Sequence, residues 1–505
     1  MKHLRYVRTA AFVLLIAAYV GLRYRDLTAS CLWFDEIFSV HAAEHSWNTL
    51  FSFVALDLIH PPLFYVLLKL WIGVGGESLA WLRMFPFLLS IISIVPLILF
   101  LRELERNVRT QLICLFLLTV NGSLLKYSLE VRMYSMLMCL SLFSLWLFAR
   151  YFVKGKSFIP LIIVNILLVH THYFGWFVVL SEAVAIITLQ RIKWRRILMM
   201  FGIVFVSFVP WIIALWQAAS SGSELGQNIG WMSRPGAREI VTFVLNLVEP
   251  FYHQASTADP ISIFKVSLPI ILIIAIAICL YCADTMERSD DEKQIFKLLI
   301  LFVALPLIIA FVISWTLPYS IWGTRHLIIV FAPVSILTAA ALTRIPIPSI
   351  KIGAITLILL FSGYAFVLES SRTPPRYSWC AWEPLAEAAA AKPDANIYTF
   401  EDLVAYHLWF ADRNRLDSQT KVIKVRNLEG VNEDKAYFLP RGFKEVATVS
   451  LDEINETRLW VAYRGKFIDV TNPPLSAFIV KGYHLADQKL ISVDQENAMI
   501  VLLEK

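Results

Sequence analysis

Long apolar runs separated by short clusters of charge dominate the chain from end to end through residue 368. A helix that crosses a bilayer needs roughly 20 apolar residues. The pattern predicts about eleven spans, near residues 5–22, 79–101, 111–128, 133–149, 157–172, 174–190, 197–216, 261–282, 298–316, 327–343 and 352–368. The first run, Thr9 to Leu22, follows Lys2, Arg5 and Arg8 like a secretory signal. It is succeeded by Arg23, Tyr24 and Arg25 instead of a small-residue cleavage site, and so reads as a retained span. Residues His60 to Gly73 are apolar but too short, and they open with Pro61 and Pro62, which favours an interfacial or re-entrant segment.

Past Glu369 the pattern changes. Stretches such as Asn396–Phe400, Leu459–Tyr463 and Ala498–Leu503 read as strands, and the Ala-rich Trp382–Ala391 reads as a helix. The division predicted is a membrane domain over residues 1–368, with a first outer loop at 23–78, and a soluble α/β domain over 369–505.

Composition agrees with lipid as the solvent, since 58% of the 505 residues are hydrophobic and only 17% charged. Sixteen Trp suit two membrane interfaces. The net charge of +6 comes from basic clusters between apolar runs, which report orientation and not nucleic-acid binding. With a cytoplasmic N-terminus and a first outer loop that does not cross, the clusters Arg102/Arg106/Arg109, Arg150/Lys154/Lys156, Arg191/Lys193/Arg195/Arg196, Arg288/Lys293/Lys297 and Arg344/Lys351 all fall in the cytoplasm. The same parity exports 23–78, the turn at Glu130 and Arg132, the loop 217–260, the loop Pro318 to His326, and the tail. A plasma or inner membrane location follows. Of the six cysteines, Cys114, Cys139, Cys279 and Cys282 fall in apolar runs or at their ends. Cys31 and Cys380 alone could meet an oxidising compartment, and little in the sequence argues for pairing them.

Three constellations on the exported side carry chemistry. The first outer loop holds Trp33-Phe34-Asp35-Glu36, then Ser39, His41, Glu44, Asp57 and His60-Pro61-Pro62-Leu63. Desolvation at an interface makes a carboxylate a better base, although an acidic pair on an amphipathic surface helix has the same pattern. Lys126, Tyr127, Glu130, Arg132 and Tyr134 gather at one helix mouth, where an Arg either grips a phosphate or pairs with Glu130. Trp322, Arg325 and His326 share a short loop, and His170 with His172 end another helix, where such a pair more often caps or packs. One base and two cations suit transfer from a phosphate ester.

The order Asp35-Glu36, then HPPL at His60, "WLRMFPFLLS", "YSLEVRMYSM", "THYFGW" and "RHLIIVFAP" resembles the bacterial branch of the protein O-mannosyltransferase and aminoarabinose-transferase family, over roughly residues 1–345. The resemblance implies a multi-pass GT-C glycosyltransferase, of the hexosyl or pentosyl kind, that uses a polyprenyl-phosphate-linked sugar. It implies that Asp35 deprotonates the acceptor hydroxyl with Glu36 adjacent, that His60 shapes the loop, and that Arg132, Tyr134 and Arg325 meet the lipid-linked phosphate. His172 and His326 join them as substrate-binding candidates. The acceptor, whether glycan, lipid or protein, and the sugar stay open, and the tail is unlike the lumenal domains of the eukaryotic enzymes. A divalent metal could assist phosphate departure, with His41, His60, His172 or the acids as ligands, but nothing in the sequence fixes one. A transporter or flippase is the rival reading, opposed by charges confined to one face and by the lack of inverted repeats. An assembly protein that binds through its tail would leave Asp35 and His60 without a task.

Overall fold

The computed structural model describes residues 2–104, 107–188, 194–223, 225–230, 232–251, 264–283, 290–371, 376–392, 394–413, 420–431, 445–493 and 496–505. Arg106, Arg191, Lys193 and Arg288 of the basic clusters lie outside the described residues. Among the described residues, seven helices are long and apolar enough to cross a bilayer: Tyr6–Arg25, Leu79–Arg102, Tyr134–Lys154, Leu198–Ser220, Asp290–Thr316, His326–Thr343 and Pro348–Ser371. Their flanks expose large apolar side chains such as Val206, Trp216, Ile308 and Leu360, a surface suited to lipid.

The other four expected spans are shorter helices, Val108–Val120, Ile159–Thr171, Gly175–Thr188 and Ser267–Ala283. The span expected at 111–128 is corrected, because Asn121 interrupts it. Its backbone is extended and its side chain accepts the Leu124 N–H, starting a separate helix over Gly122–Tyr127. The apolar run opened by Pro61 and Pro62 is also short, a helix over Leu63–Gly75.

The chain divides into two compact units, Met1–Ala29 with Ala42–His253 and Ser262–Arg372, and Ser30–His41 with Gln254–Ile261 and Thr373–Lys505. Inside the first unit, polar side chains satisfy one another. Ser144, Asn165 and Glu182 come from three helices and form a closed cluster, with Ser144 Oγ 2.5 Å from Glu182 Oε1, Asn165 Nδ2 2.6 Å from Glu182 Oε2, and Ser144 Oγ 2.8 Å from Asn165 Oδ1. All three are fully buried. Arg23, also fully buried, donates to the Leu118 and Thr119 carbonyls at the end of Val108–Val120 and to Ser90, and its guanidinium lies over the Tyr19 ring at 3.4 Å. A cation at a helix C-terminus complements the carbonyls left without N–H partners there.

The second unit is built on a six-stranded sheet of β1 (Asn396–Thr399), β2 (Val422–Arg426), β3 (Ala447–Ser450), β4 (Arg458–Gly465), β5 (His484–Ile491) and β6 (Asn497–Glu504). The order is β3-β2-β1-β4-β6-β5. Strands β1 to β4 run parallel, and β6 and β5 add antiparallel strands. The helix Asp402–Asp412 makes the crossover that parallel β1 and β2 require. Period-two alternation puts Tyr398, Val461 and Val501 on one face, packed with Leu475 and Phe478. The Ala-rich segment is a helix over Trp382–Ala390.

Contrary to the reading of the sequence, Cys31 and Cys380 are joined as a disulfide, with Cα atoms 5.5 Å apart. Their separation of 349 residues left no spacing signal to read.

Two measurements test these packing arguments. Glu182→Ala strands the Asn165 amide N–H without its buried acceptor, at about 1–3 kcal/mol, while Ser144 keeps the Asn165 carbonyl oxygen. Thermal unfolding in detergent should fall accordingly, whereas Glu182→Gln, which keeps the shape and can both donate and accept, should stay near wild type. In the second unit, His407 donates from Nδ1 to the Leu403 carbonyl at 2.8 Å, and burial, reinforced by Arg464, holds its pKa down to about 4 from the ordinary 6.5. The unfolded chain therefore takes up a proton that the folded one refuses. The stability from this group is complete above pH 6.5 and declines as pH falls toward about 4. Amide exchange of the helix Asp402–Asp412 should accelerate over that window, and His407→Leu should flatten the dependence.

Candidate active site

The helix Trp47–Asp57 ends where Leu58 turns into the left-handed region, at φ 59°. Leucine enters that region at a cost of roughly 1–2 kcal/mol. The turn brings Asp57 and His60 together just ahead of Pro61 and Pro62, which open the helix Leu63–Gly75 at positions where a missing N–H is tolerated. His60 Nδ1 donates to Asp57 Oδ2 at 2.8 Å, and both residues are buried. That bond settles the tautomer, leaving Nε2 as an acceptor for the Arg132 guanidinium, whose Nη2 lies 3.2 Å away. Arg132 Nη1 also reaches the Tyr65 hydroxyl at 3.4 Å. Arg132 is only 3% exposed and sits in the turn before the helix Tyr134–Lys154, so a full positive charge is fixed in a largely dry place.

Imidazoles and aromatic rings crowd around this chain of bonds. The His172 ring lies 5.6 Å from His60, 5.5 Å from His326, 5.3 Å from Phe174 and 6.5 Å from Tyr134. His172 stands just past the end of the helix Ile159–Thr171, and its Nδ1 accepts the Phe174 N–H at 3.1 Å. Its proton is therefore on Nε2, which is buried without a hydrogen-bond partner among the described residues. Burial holds the His172 imidazole well below its ordinary pKa, and His326, His60, Arg132 and Arg325 push the same way. His326 donates from Nδ1 to the Ile321 carbonyl at 3.2 Å, which leaves its Nε2 to accept. The cluster thus offers one N–H and one imidazole lone pair among apolar rings, a pattern suited to hydroxyl groups.

Asp35 and Glu36 belong to the second unit, in the first turn of the helix Phe34–Glu44. Glu36 is fully buried and accepts the Trp33 N–H at 3.0 Å, which fixes the start of that helix. Asp35 is half-buried, and its carbonyl accepts from Ser39 Oγ at 3.0 Å. His41 Nδ1 lies 3.0 Å from the Tyr406 hydroxyl, and its ring is 4.7 Å from Trp409.

The structure thus gathers His60, Arg132, Tyr134, His172 and His326, with Arg325 near enough to act on two of the imidazoles. Lys126 and Glu130 approach only to 3.9 Å, and His170 ties its helix to the Ser207 carbonyl at 3.2 Å. Trp322 packs edge-on against Phe243. Among the described residues, no group of three or more His, Cys, Asp or Glu could hold a metal ion. Tyr65 and Phe174 escaped the reading of the sequence because each lies within an apolar run, where an aromatic reads as packing. The one available signal was their closeness in sequence to His60 and His172.

No family model matches the chain, and no curated protein matches its sequence. Solved structures do match in fold. ArnT from Cupriavidus metallidurans bound to undecaprenyl phosphate has a TM-score of 0.58 at 13% identity, covering 98% of this chain and 98% of that one. The same protein in the apo state gives 0.56, with equal identity and coverage. The archaeal oligosaccharyltransferase AglB from Archaeoglobus fulgidus, in complex with an inhibitory peptide and a dolichol-phosphate, gives 0.49 at 14% identity over 81% of this chain, which spans 64% of the length of that one. The chain is a multi-pass membrane protein with the GT-C fold expected from its sequence, and it carries a C-terminal α/β domain.

Proposed function

We propose that this protein is a membrane glycosyltransferase that moves a sugar from a polyprenyl-phosphate donor to an acceptor hydroxyl. The observation that carries the reading is the fold likeness to ArnT across nearly the whole of both chains, together with a buried Arg132 held by His60. ArnT was solved with undecaprenyl phosphate bound, and a fixed guanidinium among imidazoles is a fitting receptor for such a phosphate.

In this reading Asp35 takes the proton of the acceptor hydroxyl as that oxygen attacks the anomeric carbon from the face opposite the phosphate. The bond from carbon to phosphate oxygen breaks with its electron pair, and polyprenyl phosphate departs as an anion. Arg132 and Arg325 stabilise the charge that develops on it. His172 Nε2–H and His326 Nε2 hold sugar hydroxyls, flanked by Tyr134 and Phe174. The capping bond of Glu36 suits a residue that sets the turn on which Asp35 sits. The chemistry inverts the anomeric centre.

The domain division is a membrane transferase domain over residues 1–368 and a soluble domain over 369–505, to which the segment around Asp35 is assigned as well. The N-terminus is cytoplasmic, and both the first loop and the C-terminal domain face the extracytoplasmic side of the plasma membrane. Placement of the basic clusters supports that orientation, and so does a disulfide, a bond that persists in oxidising compartments.

Asp35→Asn should lower sugar transfer by roughly 10²–10⁴-fold, the range for loss of a general base, with undecaprenyl phosphate affinity unchanged. Arg132→Ala should instead weaken undecaprenyl phosphate binding by roughly ten- to a hundredfold. Normal transfer by Asp35→Asn, read by mass spectrometry of the products from a panel of polyprenyl-phosphate sugars, would sink the assignment of the base.

A further inference from the structure

The twelve residues Ser30–His41 are not grouped with the helices that flank them in sequence; they belong with the sheet unit formed more than 340 residues later. Three attachments hold them there. The Cys31–Cys380 disulfide is four residues ahead of Asp35, and the Cys31 N–H lies 3.4 Å from Cys380 Sγ. Phe34 sets its ring edge-on to Tyr406 with centroids 5.3 Å apart. His41, on the other side of Asp35, meets the Tyr406 hydroxyl at 3.0 Å and lies against Trp409. Tyr406 and Trp409 are three apart on the helix Asp402–Asp412, hence on one face of it, and Tyr406 is fully buried. A residue of the C-terminal domain therefore touches the segment on both sides of Asp35, and a covalent bond anchors its start.

We propose that the C-terminal domain positions the catalytic base, and that Cys31, Cys380 and Tyr406 are positioning residues for sugar transfer. The inference rests on the role of Asp35 proposed above. Proton transfer is sensitive to placement, and displacement of a reacting group by about 1 Å costs on the order of a hundredfold in rate. A base in the first turn of a short helix gains that precision from the domain that grips it. Donor binding makes no demand on this grip, because Arg132 and His60 are supported within the first unit.

The experiment uses the full-length protein in nanodiscs with whichever undecaprenyl-phosphate hexose or pentose turns over. Cys31→Ser/Cys380→Ser, and the wild type treated with a phosphine reductant, should each lose kcat by about tenfold or more. KM for the donor and affinity for undecaprenyl phosphate should stay within about twofold of the untreated enzyme, a split that general unfolding would not produce. Tyr406→Phe should lower kcat on its own, and the reductant should leave the double serine variant unaffected. Amide exchange supplies the control for folding, since residues 30–44 should exchange faster while β1, β4 and β6 keep their protection. Wild-type kcat in the triple variant Cys31→Ser/Cys380→Ser/Tyr406→Phe would overturn the proposal, provided that Asp35→Asn is inactive in the same assay. Full activity of Asp35→Asn would instead remove the base on which the proposal stands.

Discussion

Hydrocarbon offers a polar group no hydrogen-bond partner, so polar groups inside the first unit depend on partners within the protein. The backbone answers with helices. Side chains answer one by one, with Arg23 set on the carbonyl end of Val108–Val120 and Glu182 closed into a cluster with Asn165 and Ser144. The Asp57–His60–Arg132 chain follows the same rule, but it delivers something more than satisfaction. It fixes a guanidinium in one place with a defined imidazole tautomer behind it, which is how a site for an anion is preorganised.

The two halves of the proposed chemistry have different supports. Arg132 depends on helix ends within the membrane unit, while Asp35 depends on the sheet unit through a disulfide and the Tyr406 ring. The soluble domain then has a task beyond covering a surface. The helix Asp402–Asp412, which crosses over between parallel strands, sets Tyr406 and Trp409 against the segment it holds.

Much of this was legible in the sequence for a physical reason: lipid makes the apolar runs long, and period-two alternation marks strands such as β4 and β6. His60, Arg132, His172 and His326 stood out because charge and imidazole are rare in such surroundings. What escaped was whatever depends on distant pairing. Cys31 and Cys380 obey no spacing rule across 349 residues, and the partners of Glu182, Ser144 and Asn165, come from two other helices that no sequence spacing joins to it. Asn121-Gly122, a cap residue in a turn dipeptide, ended a helix inside an apolar run whose length read as one span.

The central claim is that the lipid-linked sugar is consumed chemically and not carried. The direct measurement reconstitutes the protein in sealed proteoliposomes with undecaprenyl-phosphate sugars labelled in the sugar. The account predicts that label moves to an acceptor with stoichiometric release of undecaprenyl phosphate. Label that crosses the bilayer still attached to its lipid, with no undecaprenyl phosphate released, would contradict it.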